Sequence, residues 1–208
     1  KDYMPGPVIS EPTLKFNFTK ELYMDAIGRI KDYITAGDVY QVNLSQRIET
    51  HIDIPPYELY KKLRSINPAP FSSYLAFDDV AIISSSPERF LKVNDRHVQT
   101  RPIKGTRPRG GDIKTDEMMK QALLASQKDN AELTMIIDLE RNDLGRVCDY
   151  GSVKVTERKV LETYPTVYHL VSTIEGDLYE RYDFIDLLKA TFPGGSITGA
   201  PKIRAMQI

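Results

Sequence analysis

The stretch that decides the fold is FSSYLAFDDVAIISSSPERFLKVNDRHVQTRPI, residues 71–103. FSSYLAF (71–77) and VAIISSS (80–86) are rich in β-branched and aromatic residues and flank Asp78-Asp79. RFLKV (89–93) and HVQTRPI (97–103) flank Asn94-Asp95 in the same way. Two hairpins are the natural reading, because Asn and Asp tolerate the tight turns that join antiparallel strands. Downstream, GSVKVTERKVLE and TVYHLVSTIEG read as two further strands. Helical spacing surrounds this block. Leu22, Ala26, Ile27, Ile30 and Ile34 recur after the N-cap candidate Thr19 and stop at Gly37. Pro56 opens a short helix with Leu59, Leu63 and Ile66 on one side. Residues 112–141 read as two helices broken near Lys128–Asn130, FIDLLKATF as another, and a last helix starts near Pro201. Strands grouped between helices, instead of alternating with them, indicate an α+β fold and exclude a doubly wound sheet.

Composition bounds the chemistry. The chain has 208 residues, 41% hydrophobic and 27% charged, enough for one large domain or two small ones. Twenty-eight Lys and Arg against 29 Asp and Glu leave a net charge of −1, which removes the broad basic footprint of a nucleic-acid or anionic-membrane binder. Any anion must be caught locally. One cysteine, Cys148, cannot make an internal disulfide, and no apolar run is long enough to span a bilayer; the chain reads as cytoplasmic. Residues 1–18, with three prolines in the first fifteen and no periodicity, read as a linker or arm before a domain at 19–208. Both ends read as cut from a longer polypeptide, since the chain starts at Lys1 and APKIRAMQI has no helix stop after it.

Several segments hold more special residues than packing requires. In VYQVNLSQR, Gln41, Asn43 and Ser45 share one strand face that could line a site. Glu88 follows three serines and a proline; read alone, it is a surface carboxylate paired with Arg89. Lys104, between Pro102 and Gly105, sits in a stretch that reads as too stiff for helix or strand. It is either a positioned amine or part of a solvated basic loop. Glu132, Asp138, Glu140 and Asp143 lie on or beside one helix, where one carboxylate could serve a Mg²⁺ that keeps several waters, or each acid could face solvent or an arginine. In FPGGSITGAPKIRA, glycines leading into a helix leave backbone N–H groups for a carboxylate or phosphate, although no P-loop or dinucleotide fingerprint is present. His169 stands alone in a strand.

Together, GDVYQVNLSQR, NPAPFSSYLAF, SSSPERF, TRPIKGTRPRG, AELTMIIDLERNDLGRVC, VYHLVSTIEG and FPGGSITGAPKIRAM resemble the chorismate-utilising enzymes, the family of anthranilate synthase component I and aminodeoxychorismate synthase component I. The resemblance implies a layered α/β sandwich of two antiparallel sheets with outer helices. It also implies a Mg²⁺-dependent reaction of chorismate in the cytoplasm. Isochorismate and salicylate synthases carry a water-activating lysine where this chain has Gln41, so the implied nucleophile is ammonia. Anthranilate synthases usually read PIAGT where this chain reads PIKGT. Lys104 therefore makes the chain resemble the aminodeoxychorismate branch, on the way to p-aminobenzoate and folate.

Carried over by motif, Lys104 is the nucleophile, Glu88 the general acid, His169 the histidine facing the substrate ring and Glu132 one metal ligand. Gln41, Gly195, Ser196, Thr198 and Lys202 are the substrate-binding set. The resemblance implies a glutamine amidotransferase subunit as ammonia source. NPAPF matches a segment that binds regulatory tryptophan in anthranilate synthases; a plain sheet-capping turn is the alternative. The family's pattern continues past this chain with a pyruvyl-binding arginine and a second metal-binding glutamate. The chain alone is accordingly expected to hold half a metal site and to be inactive. The competing readings are anthranilate synthase component I and a non-catalytic domain that binds a metabolite or a partner subunit.

Overall fold

The computed structural model describes residues 13–208, so most of the expected arm lies outside the described residues. Inside it, Lys15–Phe16 (β1) is not free linker but pairs antiparallel with Ile48–Glu49 (β3). Thr19 caps helix α1 (Lys20–Thr35), its hydroxyl accepting from the Leu22 amide at 3.2 Å. Gly37, at φ +82°, follows the helix end. The expected packed face of α1 buries only Ile30, while Leu22 and Ile34 stay exposed, because the described elements leave that side largely uncovered.

Gln41–Val42 (β2) is shorter than the alternation of residues 40–45 suggests. Its partner near the chain end, Gly199–Ala200, is only two residues long and is followed by Pro201, which has no N–H to extend a ladder. The helix from Pro56 is α2 (Pro56–Ile66). Both expected hairpins form. Phe71–Ala76 (β4) pairs with Ala81–Ser86 (β5) over six positions. Arg89–Asn94 (β6) pairs with His97–Arg101 (β7) across a turn in which Asp95 takes φ +54°.

One expectation fails here. The PIKGT stretch is a strand, Ile103–Pro108 (β8). Pro102 cannot donate, but its carbonyl accepts the Ser172 amide at 3.2 Å, and the ladder resumes beyond it. Between the pairs His169↔Thr106 and Val171↔Ile103, β8 advances three residues while its partner advances two. The additional residue is a β-bulge at Lys104–Gly105, and Gly105 (φ +84°) supplies the backbone conformation that the bulge needs. Read as strand breakers, Pro102 here precedes the strand and Gly105 forms its bulge.

Helices α3 (Ile113–Leu124) and α4 (Gln127–Gly145) meet at Ala125-Ser126, a few residues before the expected break, because Ser126 rather than Asn130 provides the cap. Lys154–Thr163 (β9) and Val167–Asp177 (β10) follow as read. β10 is the centre of a five-stranded antiparallel sheet: β9 lies along one edge, and β7 and β8 lie end to end along the other. Residues 168–174 of β10 are all buried, as expected of a strand covered on both faces. The core gathers Leu170 and Ile174 of β10 against Leu133, Ile137 and Leu144 of α4, with Leu187 from α5 (Phe184–Thr191).

After α5 the glycines do not run straight into a helix. A 3₁₀ turn at Gly195–Ile197 and the two-residue strand Gly199–Ala200 (β11) intervene before α6 (Lys202–Gln207). This last segment is tied down by a buried ion pair. Lys202 Nζ donates to Asp143 of α4 and to the Thr191 carbonyl, with side chains only 11% and 7% exposed for Lys202 and Asp143. The α+β class is therefore observed, the described residues forming one five-stranded sheet and three two-stranded antiparallel ladders with helices around them.

Two stability measurements check this architecture. A Cβ at Gly199 would lie 2.2 Å from the Gln41 carbonyl oxygen, at φ +155°, whereas a Cβ at Gly28 of α1 meets nothing within 4 Å. Gly199→Ala should lower stability in urea by on the order of 2–3 kcal/mol, while Gly28→Ala should raise it by about 0.5–1 kcal/mol. Lys202→Met, which strands the Asp143 carboxylate in the core, should cost about 3–5 kcal/mol. Adding Asp143→Asn should recover part of that loss, and strictly additive costs would show that the pair is not coupled.

Candidate active site

The bulge aims Lys104 at the glycine-marked turn. Its Nζ donates to the Ser196 carbonyl at 3.3 Å. The same carbonyl accepts Asn43 Nδ2 at 3.2 Å, and Asn43 Oδ1 accepts Gln41 Nε2 at 3.2 Å. Three segments far apart in sequence thus converge on one peptide oxygen, and Gln41, Lys104 and Ser196 come together as expected. Asn43 is the link the motif comparison missed, although the alternation of residues 40–45 already placed it on the Gln41 face.

Glu88 sits at the β5–β6 junction, where the Ser86 hydroxyl accepts its amide at 3.2 Å and donates to its carbonyl at 3.1 Å. This local clamp fixes the backbone and leaves the side chain directed into a cavity of about 430 Å³ lined by Phe90, Glu140, Phe192, Ser196 and Ile197 among others. Burial pushes the Glu88 carboxyl up, while the neighbouring Ser196 hydroxyl and the Lys104 charge pull it back. Glu88 is therefore neither a simple surface carboxylate nor an Arg89 partner: Arg89 donates to Gln99 instead.

His169 is buried in β10. A ring nitrogen lies 2.8 Å from Thr106 Oγ1 on β8, and Tyr164 meets the ring edge-on at 5.5 Å between centroids. Burial pushes its pKa down, so the imidazole is neutral near pH 7. Thr198 closes its own turn by donating to the Gly194 carbonyl at 3.1 Å. Gly195 is held against α4, where a Cβ would lie 2.5 Å from Leu139 Cδ2. Lys202 is engaged with Asp143, so its charge serves the ion pair in this state.

Glu132 stands apart, near the start of α4, with Lys128 at 3.8 Å. Among the described residues no three His, Cys, Asp or Glu side chains gather to hold a metal ion. The donor set fits Mg²⁺ only as a single carboxylate, the remaining positions falling to water and substrate oxygens. A larger open cleft of about 910 Å³ runs along α4 past Tyr40 and Pro201, and neither Glu88 nor Lys104 lines it.

Sequence reasoning named Glu140 only among four helix acids that could serve Mg²⁺ or face solvent or an arginine, and did not place it beside Glu88. It lines the Glu88 cavity, is 7% exposed and accepts from Thr100 Oγ1 at 2.9 Å. Burial above all, with Glu88 and Asp143 adding, pushes its carboxyl up to about 8. The available signal was its place at the apolar spacing of Leu133, Ile136 and Ile137, where a charged residue is out of pattern.

An acid and an amine on adjoining walls, beside the turn of residues 194–198 and with a neutral histidine on the neighbouring strand, can support displacement at carbon. Comparison with known proteins gives the family. The family of chorismate binding enzymes matches residues 5–208. Aminodeoxychorismate synthase component 1 of Bacillus subtilis is 47% identical over 191 residues, covering 92% of this chain and 41% of the relative. Anthranilate synthase component 1 of Pseudomonas aeruginosa is 48% identical over 198 residues, covering 95% and 40%. The crystal structure of anthranilate synthase component I from Streptococcus pneumoniae superimposes with a TM-score of 0.84 at 34% identity, covering 98% of this chain and 46% of that one. The chain thus spans about two fifths of the length of these curated relatives. With its sheet, its converging site and this match over nearly all its length, the chain belongs to the chorismate-binding enzyme family.

Proposed function

We propose that these residues serve the amination of chorismate by ammonia to 4-amino-4-deoxychorismate, through a covalent intermediate on Lys104. Overall identity does not separate this from the anthranilate reaction, since relatives of both names match almost equally. The observation that carries the reading is Lys104 itself. Its amine is set by a bulge beside the wall that holds Glu88, where an amine has a chemical task that an alanine cannot perform.

In this reading the amine of Lys104 attacks the ring and the hydroxyl departs. Glu88, a carboxyl whose proton affinity burial has raised, gives its proton to the departing oxygen. Ammonia then displaces the lysine, and the enolpyruvyl ether is retained. Gln41 has an amide that cannot take a proton near neutral pH, which disfavours water as the nucleophile. The backbone of Gly195–Thr198 and the neutral ring of His169 would position the substrate. Glu132 would hold Mg²⁺ as one carboxylate ligand, the ion supplying positive charge to a substrate carboxylate. We assign the ammonia supply to a glutamine amidotransferase subunit, because little free ammonia exists near neutral pH. A reducing cytoplasmic setting fits the single free Cys148; no helix of the described residues is long and apolar enough to cross a membrane. In NPAPF, Asn67 exchanges hydrogen bonds with Ser85, 3.1 Å from its side chain and 2.8 Å to its carbonyl, which favours the sheet-capping reading of that turn over a tryptophan site.

Because the chain spans about two fifths of its relatives, turnover is expected only from a polypeptide of the relatives' length that carries it. Given chorismate, Mg²⁺ and ammonia, that protein should form aminodeoxychorismate. Intact-protein mass should reveal an adduct mapping to Lys104, and Lys104→Ala should remove the adduct and slow product formation at least about 100-fold. Release of a free aromatic amine without a separate lyase would instead establish the anthranilate reaction.

A further inference from the structure

The cavity that holds Glu88 contains a second acid which the mechanism above does not use. Glu140 enters from α4 and shares the cavity wall with Glu88, Phe90 and Phe192. Its only hydrogen bond among the described residues is the one from the Thr100 hydroxyl. The charged groups facing it are Glu88 from the β5–β6 junction, Asp143 one turn further along α4, and Lys202 from α6. Neither nearby ammonium is available to it. Lys202 is bound between Asp143 and the Thr191 carbonyl, and Lys104 donates to the Ser196 carbonyl. A carboxyl that is more than nine-tenths buried and lacks a cation keeps its proton, since its ionised form would have one neutral donor in place of water.

A second polar atom lies in the same wall. Ser196 Oγ is buried beside the Glu88 carboxyl, whose ionised form its hydroxyl favours, and it has no other hydrogen-bond partner among the described residues. A hydroxyl can donate to one carboxyl while accepting from another, so it is suited to stand between two acids that pass a proton.

We propose that Glu140 is a positioning residue that shares one proton with Glu88 across this cavity, so that the pair, not Glu88 alone, forms the acid. The proposal rests on the amination reading given above. When the ring C–O bond breaks, Glu88 gives its proton to the departing oxygen and water leaves. The Lys104 nitrogen forms the new bond to carbon. The proton that Glu88 gives is the one it shares with Glu140, so the pair is left with none. The attacking nitrogen, now carrying one proton too many, sheds it back to the pair, and no proton is consumed overall.

The test is a pH titration of the glutamate carboxyl carbons by NMR, without substrate, on a polypeptide of the relatives' length that carries this chain. One glutamate should titrate with a midpoint of about 8, and its signal should be absent from Glu140→Gln. Glu88→Gln should lower that midpoint by about one pH unit, the coupling at which two sites titrate as a pair. A purely structural Glu140 would not respond to Glu88→Gln. Should Glu140→Gln fail to fold, Thr100→Val assigns the signal instead, because loss of the donor that favours the ionised form raises the midpoint. A titration confined to the ordinary carboxylate range, or a midpoint unmoved by Glu88→Gln, overturns the proposal. No substrate enters the measurement, so its failure would leave the reaction assignment standing, and a different product from chorismate would leave the shared proton standing.

Discussion

The pairing of β10 along both of its edges is the constraint from which the rest of the structure follows. A strand with its side chains buried on both faces and its backbone bonded on both edges has one register consistent with its neighbours. β7 and β8 must then share one edge end to end, and the mismatch between them is absorbed where Gly105 permits it. That accommodation sets the direction of Lys104. The same pairing places Thr106 beside His169. The α4 helix packed on the sheet brings Glu140 to Thr100 of β7. The side chains that β7, β8, β10 and α4 bring to the site are therefore held by one ladder.

Charge is handled in the same local manner. The chain as a whole is nearly neutral, so no long-range field gathers a dianionic substrate. Inside, three carboxyls, Glu88, Glu140 and Asp143, lie close to only two ammonium groups. Asp143 takes Lys202, and that ion pair fastens the glycine-marked turn and α6 to α4. Lys104 is left facing a neutral carbonyl rather than a carboxylate partner.

Much of this was legible in the sequence, for identifiable reasons. The two hairpins, α1, α2, α5 and the β9–β10 pair follow from period-two and period-3.6 patterns bounded by Asn-Asp, Thr19, Gly37 and Pro193-Gly194. β8 was not legible, because Pro102 and Gly105 act as breakers unless a neighbouring strand supplies bonds on either side of them, and that neighbour lies more than 60 residues away. The two-residue length of β2 was likewise set by its distant partner β11. Glu88 and Lys104 could be named from motif likeness, but not from residue type, which alone favoured a surface acid and a solvated basic loop. Glu140 was legible only as one of four acids on a helix; its place beside Glu88 comes from the burial that the folded chain gives it.

The central claim is that Glu88 and Lys104 face one substrate from adjoining walls. The structure of a chorismate complex, in a polypeptide of the relatives' length, tests it most directly. The account predicts a ring carbon of chorismate within about 3.5 Å of Lys104 Nζ, with the Ser196 carbonyl contact released and the hydroxyl turned toward Glu88. Chorismate seated instead in the open cleft along α4, with Lys104 still bonded to Ser196, would contradict it.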